Sequence, residues 1–249
     1  MADAACVFLP GIVMPAAMRY EALFGELAGE RRRLIPLDLR VSDEAWPAAA
    51  YSIEAEIAAL DRAADADGLG RFHLYGHSGG GAVALAYAAA RPARLLSLAL
   101  DEPSTDFSAA DLAGPDWEEL RGIRDLPLPE RLPAFRRLQV APGVPVPLPA
   151  RLPAWIEPAP SRIVAFTEAA TGHRVEPDRY RAFRPPVHYT YGSLTRARYE
   201  ATRDRLAALF PRFASERYEG LHHLHCAHQG APDRVAASLR ALWREAEAL

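Results

Sequence analysis

Arg71-Phe72-His73-Leu74-Tyr75-Gly76-His77-Ser78-Gly79-Gly80-Gly81-Ala82 is the stretch whose reading decides the fold. Arg71–Tyr75 predicts a strand. Gly76–Gly81 is dense in glycine, and the small-residue run Ala82–Ala90, stopped at Pro92, predicts a helix. Gly76-His77-Ser78-Gly79-Gly80 fits the pattern Gly-x-Ser-x-Gly, and it sits between a strand and a helix, the setting that gives the pattern meaning. The reason is steric. A strand that turns abruptly into a helix forces the serine into a strained backbone conformation and lifts its hydroxyl above the strand ends. Gly76 and Gly80 let the neighbouring backbone approach that turn.

Working outward, Ala5–Leu9 is an apolar run ending at Pro10-Gly11, which reads as a buried strand entering a turn. A helix is expected around Tyr20–Gly29 and a strand over Leu34–Val41, closed by the polar Ser42–Glu44. Ser52–Ala66 has helical spacing, with Ile53, Ile57 and Leu60 on one face. Leu95–Leu100 is another all-apolar strand. Alternating strands and helices with continuous apolar strands predict an α/β fold, with a parallel sheet covered on both faces. After residue 160 the pattern gives a helix over Ser161–Thr171, strands at Val187–Tyr191 and Ser215–Tyr218, and helices over Tyr199–Leu209 and Pro232–Leu249. About six strands can be counted, and no internal repeat is visible.

The middle differs. Pro103–Pro160 holds 12 of the 22 prolines, including the run Pro142-Gly-Val-Pro-Val-Pro-Leu-Pro149. Such density predicts extended segments and turns, with short helices near Trp117–Arg124 and Leu132–Arg137. Residues 104–160 are therefore expected to be a lid inserted into a single domain spanning 1–249. Trp117, Leu126, Leu128, Phe135, Val144, Val146, Leu148, Leu152 and Trp155 are its candidates for an apolar pocket lining.

Composition narrows the chemistry. The chain of 249 residues has 29 Arg, no Lys and a net charge of −3, with no basic block, so no nucleic-acid partner is expected. Without Lys there is no P-loop, Schiff-base or Ser-Lys mechanism. Without Asn there is no N-linked glycosylation. Cys6 and Cys226 are far apart, so a reducing, cytoplasmic setting is expected rather than a disulfide framework. No run reaches the roughly 20 apolar residues of a membrane span. The N-terminal residues lack a basic leader region and read as strand and loop rather than signal peptide.

The landmarks Leu9-Pro10-Gly11, Pro36-Leu-Asp-Leu-Arg40, the turn at Ser78, Asp101-Glu102-Pro103, Tyr191-Gly192, Glu219-Gly-Leu-His-His223 and the helix starting at Pro232 resemble the α/β-hydrolase superfamily. The chain looks like a compact bacterial-type serine hydrolase over nearly everything but the proline-rich middle. Members of that superfamily build an eight-stranded sheet. The resemblance implies Ser78 as nucleophile, with a His after the last strand as its base. His222, His223, His225 and His228 are all available; His223 fits the family spacing best, followed by His222 and then His225. His73, His77, His173 and His188 read as structural.

The acid departs from the common pattern. The usual place for an Asp, after the seventh strand, reads Gly192-Ser-Leu-Thr-Arg196 and holds no carboxylate; Thr195 fills the slot. Some members carry the acid after the preceding strand, about two dozen residues beyond the nucleophile, where this chain has Asp101 and Glu102. Adjacent strand residues point to opposite faces, so only one of them can reach the His. Glu102 is preferred, Asp101 is the alternative, and Asp38 or Asp106 would be next. The resemblance also implies an oxyanion hole from the backbone N–H groups of Gly79 and Ile12.

The implied activity is hydrolysis of a small or medium carboxylic ester or thioester, on a small-molecule acyl substrate and without a cofactor. An acyl-transferring or cyclising enzyme would use identical parts. A ligand-binding member with an incomplete triad is the non-enzymatic alternative, motivated by Thr195. His222-His223-Leu-His225-Cys226-Ala-His228 also gathers five zinc-type donors. Sequence-adjacent ligands cannot all face one ion, no second cluster completes a site, and no metal is expected.

Overall fold

Three central strands are buried nearly end to end, because both faces of the sheet are covered. They are β1 (Cys6–Leu9), β3 (Phe72–His77) and β4 (Leu95–Asp101). The computed structural model describes residues 4–43, 51–146, 148 and 152–249, so part of the proline run at 142–149 lies outside the described residues. With β2 (Leu34–Pro36), β5 (Val187–Gly192) and β6 (Phe213–Tyr218), the strands form one six-stranded sheet in the order β2-β1-β3-β4-β5-β6. Every neighbouring pair is parallel.

The helices that close the crossovers before and after β2 and β3 are α1 (Ala16–Arg19), α2 (Glu21–Glu26), α3 (Ile53–Ala66) and α4 (Gly79–Ala90). Between β4 and β5 come α5 (Ala109–Leu112), α6 (Pro115–Gly122), α7 (Leu128–Arg137), α8 (Ala159–Gly172) and α9 (Pro177–Arg181). The chain ends with α10 (Ala197–Ala207), α11 (Ala227–Gly230) and α12 (Pro232–Glu247). Strand alternation sorts the core into two layers. Val7, Leu9, Leu74, Leu98 and Leu100 face α3, α4 and the helices after β4. Cys6, Phe8, Tyr75 and Ala99 face the other way, onto Leu23 of α2 and the Val235, Leu239, Leu242 and Trp243 stripe of α12. Among the described residues no helix is long and apolar enough to cross a membrane.

Two expectations need correction. The strand over Leu34–Val41 ends at Pro36. The last bond to β1 is from the Leu37 N–H to the Phe8 carbonyl at 3.0 Å, and beyond it the carboxylate of Asp38 turns aside to accept the N–H of Ala16 at 2.6 Å. In the proline-rich middle both expected short helices are present, as α6 and α7, but the segment carries more helix than its proline density suggested, α5 and the start of α8 included. Its prolines open helices: Pro115, Pro129 and Pro160 lie at the first or second positions of α6, α7 and α8, where a missing N–H costs nothing. Only Pro133 lies inside one, in α7.

The strand order reverses between β1 and β3: the chain builds outward from β1 to β2, then crosses back to β3 and onward. In open α/β sheets ligands bind at the carboxyl ends of the strands beside such a switch point. Here the segments leaving those two strands touch. A Cβ on Gly80 would stand 2.4 Å from the carbonyl oxygens of both Leu9 and Pro10, and one on Gly76 would stand 2.5 Å from the Gly80 oxygen. These are backbone contacts that cannot yield by a rotamer change. Gly80→Ala should therefore lower unfolding stability by on the order of 3 kcal/mol. Gly25→Ala, in α2 with nothing within 4 Å of the new methyl, should raise it by about 0.5 kcal/mol. Urea midpoints of the two variants check both signs.

Candidate active site

Ser78 stands where β3 becomes α4, with φ 54° and ψ −121°, a left-handed backbone that a serine adopts only under constraint. Three backbone hydrogen bonds impose it. Its N–H donates to the Asp101 carbonyl at 3.1 Å, while its carbonyl accepts from Ala82 at 3.0 Å and Ser104 at 2.9 Å. The side chain is thereby held at the carboxyl end of the sheet, almost buried. Gly11, in the segment after β1, runs against it: a Cβ there would lie 3.2 Å from Ser78 Cβ.

The His223 ring reaches this hydroxyl from the segment after β6, with Nε2 2.8 Å from Ser78 Oγ. On its other side Nδ1 lies 2.8 Å from Glu102 Oε2. The arrangement fixes the tautomer: Nδ1–H donates to the carboxylate, and Nε2 is left to accept the Ser78 proton. The ring is also stacked on Tyr199 of α10, centroids 4.7 Å apart and 17° from parallel. Glu102 follows β4 with φ 46°, and its Oε1 accepts the N–H of Gly192 at 2.7 Å. Both carboxylate oxygens are thus engaged, one at each end of the fork.

Asp101 turns the other way, as strand alternation requires. Its Oδ2 accepts from His228 Nδ1 at 2.7 Å and from the Tyr75 hydroxyl at 3.1 Å, and it does not meet His223. His222 is absorbed in a turn, where its Nδ1 accepts the backbone N–H groups of Leu224 and His225, both at 3.2 Å. His225 pairs with His222 through the backbone. Asp38 accepts from Ala16, and Asp106 pairs with Arg205 at 2.6 Å. Thr195, in the slot where relatives carry an acid, is buried and hydrogen-bonds the Gln139 carbonyl at 3.3 Å. His73, His173 and His188 lie in other surroundings: His73 meets Ser97 at 2.8 Å, His173 meets Glu54 at 2.8 Å, and His188 lies 4.0 Å from Glu216.

Burial dominates the electrostatics. It pushes Glu102 above the usual carboxylate range, reinforced by the charge of Asp101 and opposed by the Gly192 N–H, Thr195 and Arg198. It holds His223 well below the ordinary imidazole range, with Arg198 and Arg19 adding to the effect. An imidazole kept neutral in this way is in the form that can accept a proton from a hydroxyl. Gly79, the first residue of α4, has a backbone N–H without an intrahelical acceptor, as at any helix start. Ile12 packs onto it: a Cβ on Gly79 would meet Ile12 Cγ2 at 2.6 Å.

Behind the site lies a second polar cluster that sequence reading did not foresee. The rings of His77 and His223 are 4.9 Å apart, as are those of His77 and His228. Asp101, Cys226 and His228 bring three donor atoms within 4.8 Å of one another, among the described residues. They do not aim at a common point. Cys226 Sγ is 3.5 and 3.4 Å from the two ring nitrogens of His228, which puts it over the ring face, where no lone pair points. Asp101 already takes the Nδ1 proton. This donor set does not fit a metal ion. Sequence carried only a faint signal of the cluster, the histidine at the variable position of Gly-His-Ser-Gly-Gly.

A cavity of about 100 Å³ opens above Ser78 and His223. Of the expected lining residues, Phe135 and Trp155 face it, while Trp117, with Phe135 again, lines a smaller void that also touches Ser78. Leu128 and Leu152 are exposed instead.

Comparison with known proteins agrees with this architecture. A family model described as alpha/beta hydrolase fold matches residues 6–143. A search of curated proteins finds no match. Among solved structures, MGS-M2, an alpha/beta hydrolase enzyme from a Medee basin deep-sea metagenome library, superposes with a TM-score of 0.78 at 12% identity, over 98% of this chain and 90% of that one. MenH from S. aureus gives 0.73 at 15% identity over 99% and 96%. A thermophilic esterase from Thermogutta terrifontis gives 0.69 at 20% identity over 98% and 91%. With more than half of its length matched by the family model, and the same fold over nearly all of it, this chain belongs to the alpha/beta hydrolase fold family.

Proposed function

We propose that the protein hydrolyses a small or medium carboxylic ester or thioester in two acyl-transfer steps. Ser78 Oγ attacks the carbonyl carbon as His223 Nε2 takes its proton. The tetrahedral oxyanion is met by the N–H groups of Gly79 and Ile12, aided by the amino end of α4. The His223 imidazolium then gives its proton to the departing alcohol or thiol, leaving Ser78 acylated. Water, deprotonated by the same nitrogen, attacks the acyl carbon and releases the acid. Glu102 keeps His223 in its working tautomer and offsets its positive charge when it is protonated.

The observation that carries this reading is the unbroken chain of two 2.8 Å contacts from Ser78 Oγ through His223 to Glu102. It favours a complete triad over an incomplete one, because Glu102, just after β4, stands where a carboxylate is absent at Thr195. From the segment between β4 and β5, Leu132, Phe135, Trp155 and Ile156 border the cavity and would act as a cap over the reacting atoms.

A fluorophosphonate probe should label the protein at Ser78, with labelling lost in Ser78→Ala; intact-mass measurement reads both. A protein that binds ester-like ligands but never labels would contradict the proposal. Glu102→Gln should slow acylation by about a thousandfold or more, since the neutral amide no longer holds the imidazole in its working tautomer and leaves the imidazolium without a counter-charge. Asp101→Asn, whose side chain serves His228, should cost far less rate; stopped-flow acylation compares them. Exhaustive chelation should leave ester hydrolysis intact, and activity lost to chelator and restored by zinc would overturn the metal-free mechanism.

A further inference from the structure

The cavity above Ser78 is lined by apolar side chains and two guanidinium groups, Arg19 and Arg136, and by no Asp or Glu among the described residues. Arg19, the last residue of α1, is 9% exposed. Its Nη1 donates to Gln229 Oε1 at 3.1 Å. Its Nη2 is 3.2 and 3.0 Å from the two ring nitrogens of His77, near-equal distances that place it over the ring face rather than against a lone pair. Its Nε has no partner. Among the described residues no carboxylate pairs with it. The nearest acid of the buried cluster, Asp101, is occupied by His228 and Tyr75.

A buried cation without a counter-charge is costly, and an anionic group entering the cavity that Arg19 lines would supply that charge. His77 cannot supply that charge, since an imidazole is either neutral or cationic; burial and Arg19 keep this ring neutral. His77 lies 4.9 Å from His223, so the guanidinium is about one imidazole away from the base. From this juxtaposition we infer that Arg19 selects substrates bearing a carboxylate a few bonds from the scissile carbonyl, such as half-esters or half-thioesters of short dicarboxylic acids. A planar carboxylate matches the guanidinium fork, and the modest cavity favours a short chain between the two groups. Arg136, on the cap side of the same cavity, adds positive potential. This inference rests on the acyl-transfer reading of the site and names its substrate class.

Calorimetry on Ser78→Ala protein tests it without turnover, using monomethyl glutarate as the anionic ligand and dimethyl glutarate as its neutral counterpart. The anion should bind at least tenfold more tightly, and adding Arg19→Gln should bring the two affinities together. Equal affinities in the Arg19 protein, or an equal loss for both ligands in Arg19→Gln, would overturn the inference. If Arg19→Gln does not fold, the unmodified protein decides: the half-ester should protect Ser78 from the fluorophosphonate at tenfold lower concentration than the diester, and equal protection would overturn it. Absence of fluorophosphonate labelling is the separate failure of the acyl-transfer reading, and the calorimetric comparison stands apart from it.

Discussion

The hydrogen bond between His223 and Glu102 joins residues 121 positions apart and holds the rest of the site in order. It orients the imidazole so that its free nitrogen faces Ser78. It also closes a ring of structure, because Glu102 is gripped from the other side by Gly192 at the end of β5. Both Ser78 and Glu102 have positive φ, and each is bonded through its N–H to the strand beside it, Ser78 to Asp101 and Glu102 to Thr190. The parallel sheet therefore supplies the constraint that keeps two unfavourable backbone conformations in place, at a typical cost of about 1–3 kcal/mol each.

Adjacent carboxylates with opposite directions give the protein two buried polar systems, one on each side of β4. Glu102 serves His223, and Asp101 serves His228 and Tyr75. His77 lies between their imidazoles, with Arg19 above its face. The neighbouring charge of Asp101 is one reason Glu102 is pushed up. The clusters are thus electrostatically linked, with His77 in contact with both histidine rings. Leu132, Phe135, Trp155 and Ile156 contribute lining rather than reacting groups, and Arg19 and Arg136 bring charge to the cavity.

Much of this was legible before any coordinates. The glycine spacing around Ser78 is a packing requirement, visible in the backbone contacts that side chains at Gly76 and Gly80 would violate. Continuous apolar strands foretold a doubly covered parallel sheet, and alternation separated Asp101 from Glu102. Other features were hidden for physical reasons. Proline density reads as broken structure, yet a proline at a helix start is favourable, and the middle of the chain uses several there. β2 is short because the chain leaves the sheet at Asp38, whose carboxylate caps Ala16, which hydrophobic pattern alone does not register. Arg19 belongs to a four-residue helix with no motif, and its position beside His77 exists only through the fold.

The central claim is that the carboxylate partner of His223 comes from β4, from Glu102. The most direct measurement is the proton spectrum of the far-downfield imidazole N–H, assigned by selective ¹⁵N-histidine labelling. The account predicts one exchange-protected Nδ1 proton on His223 that disappears or moves sharply upfield in Glu102→Gln and persists in Asp101→Asn. A resonance indifferent to Glu102 and abolished in Asp101→Asn would contradict it.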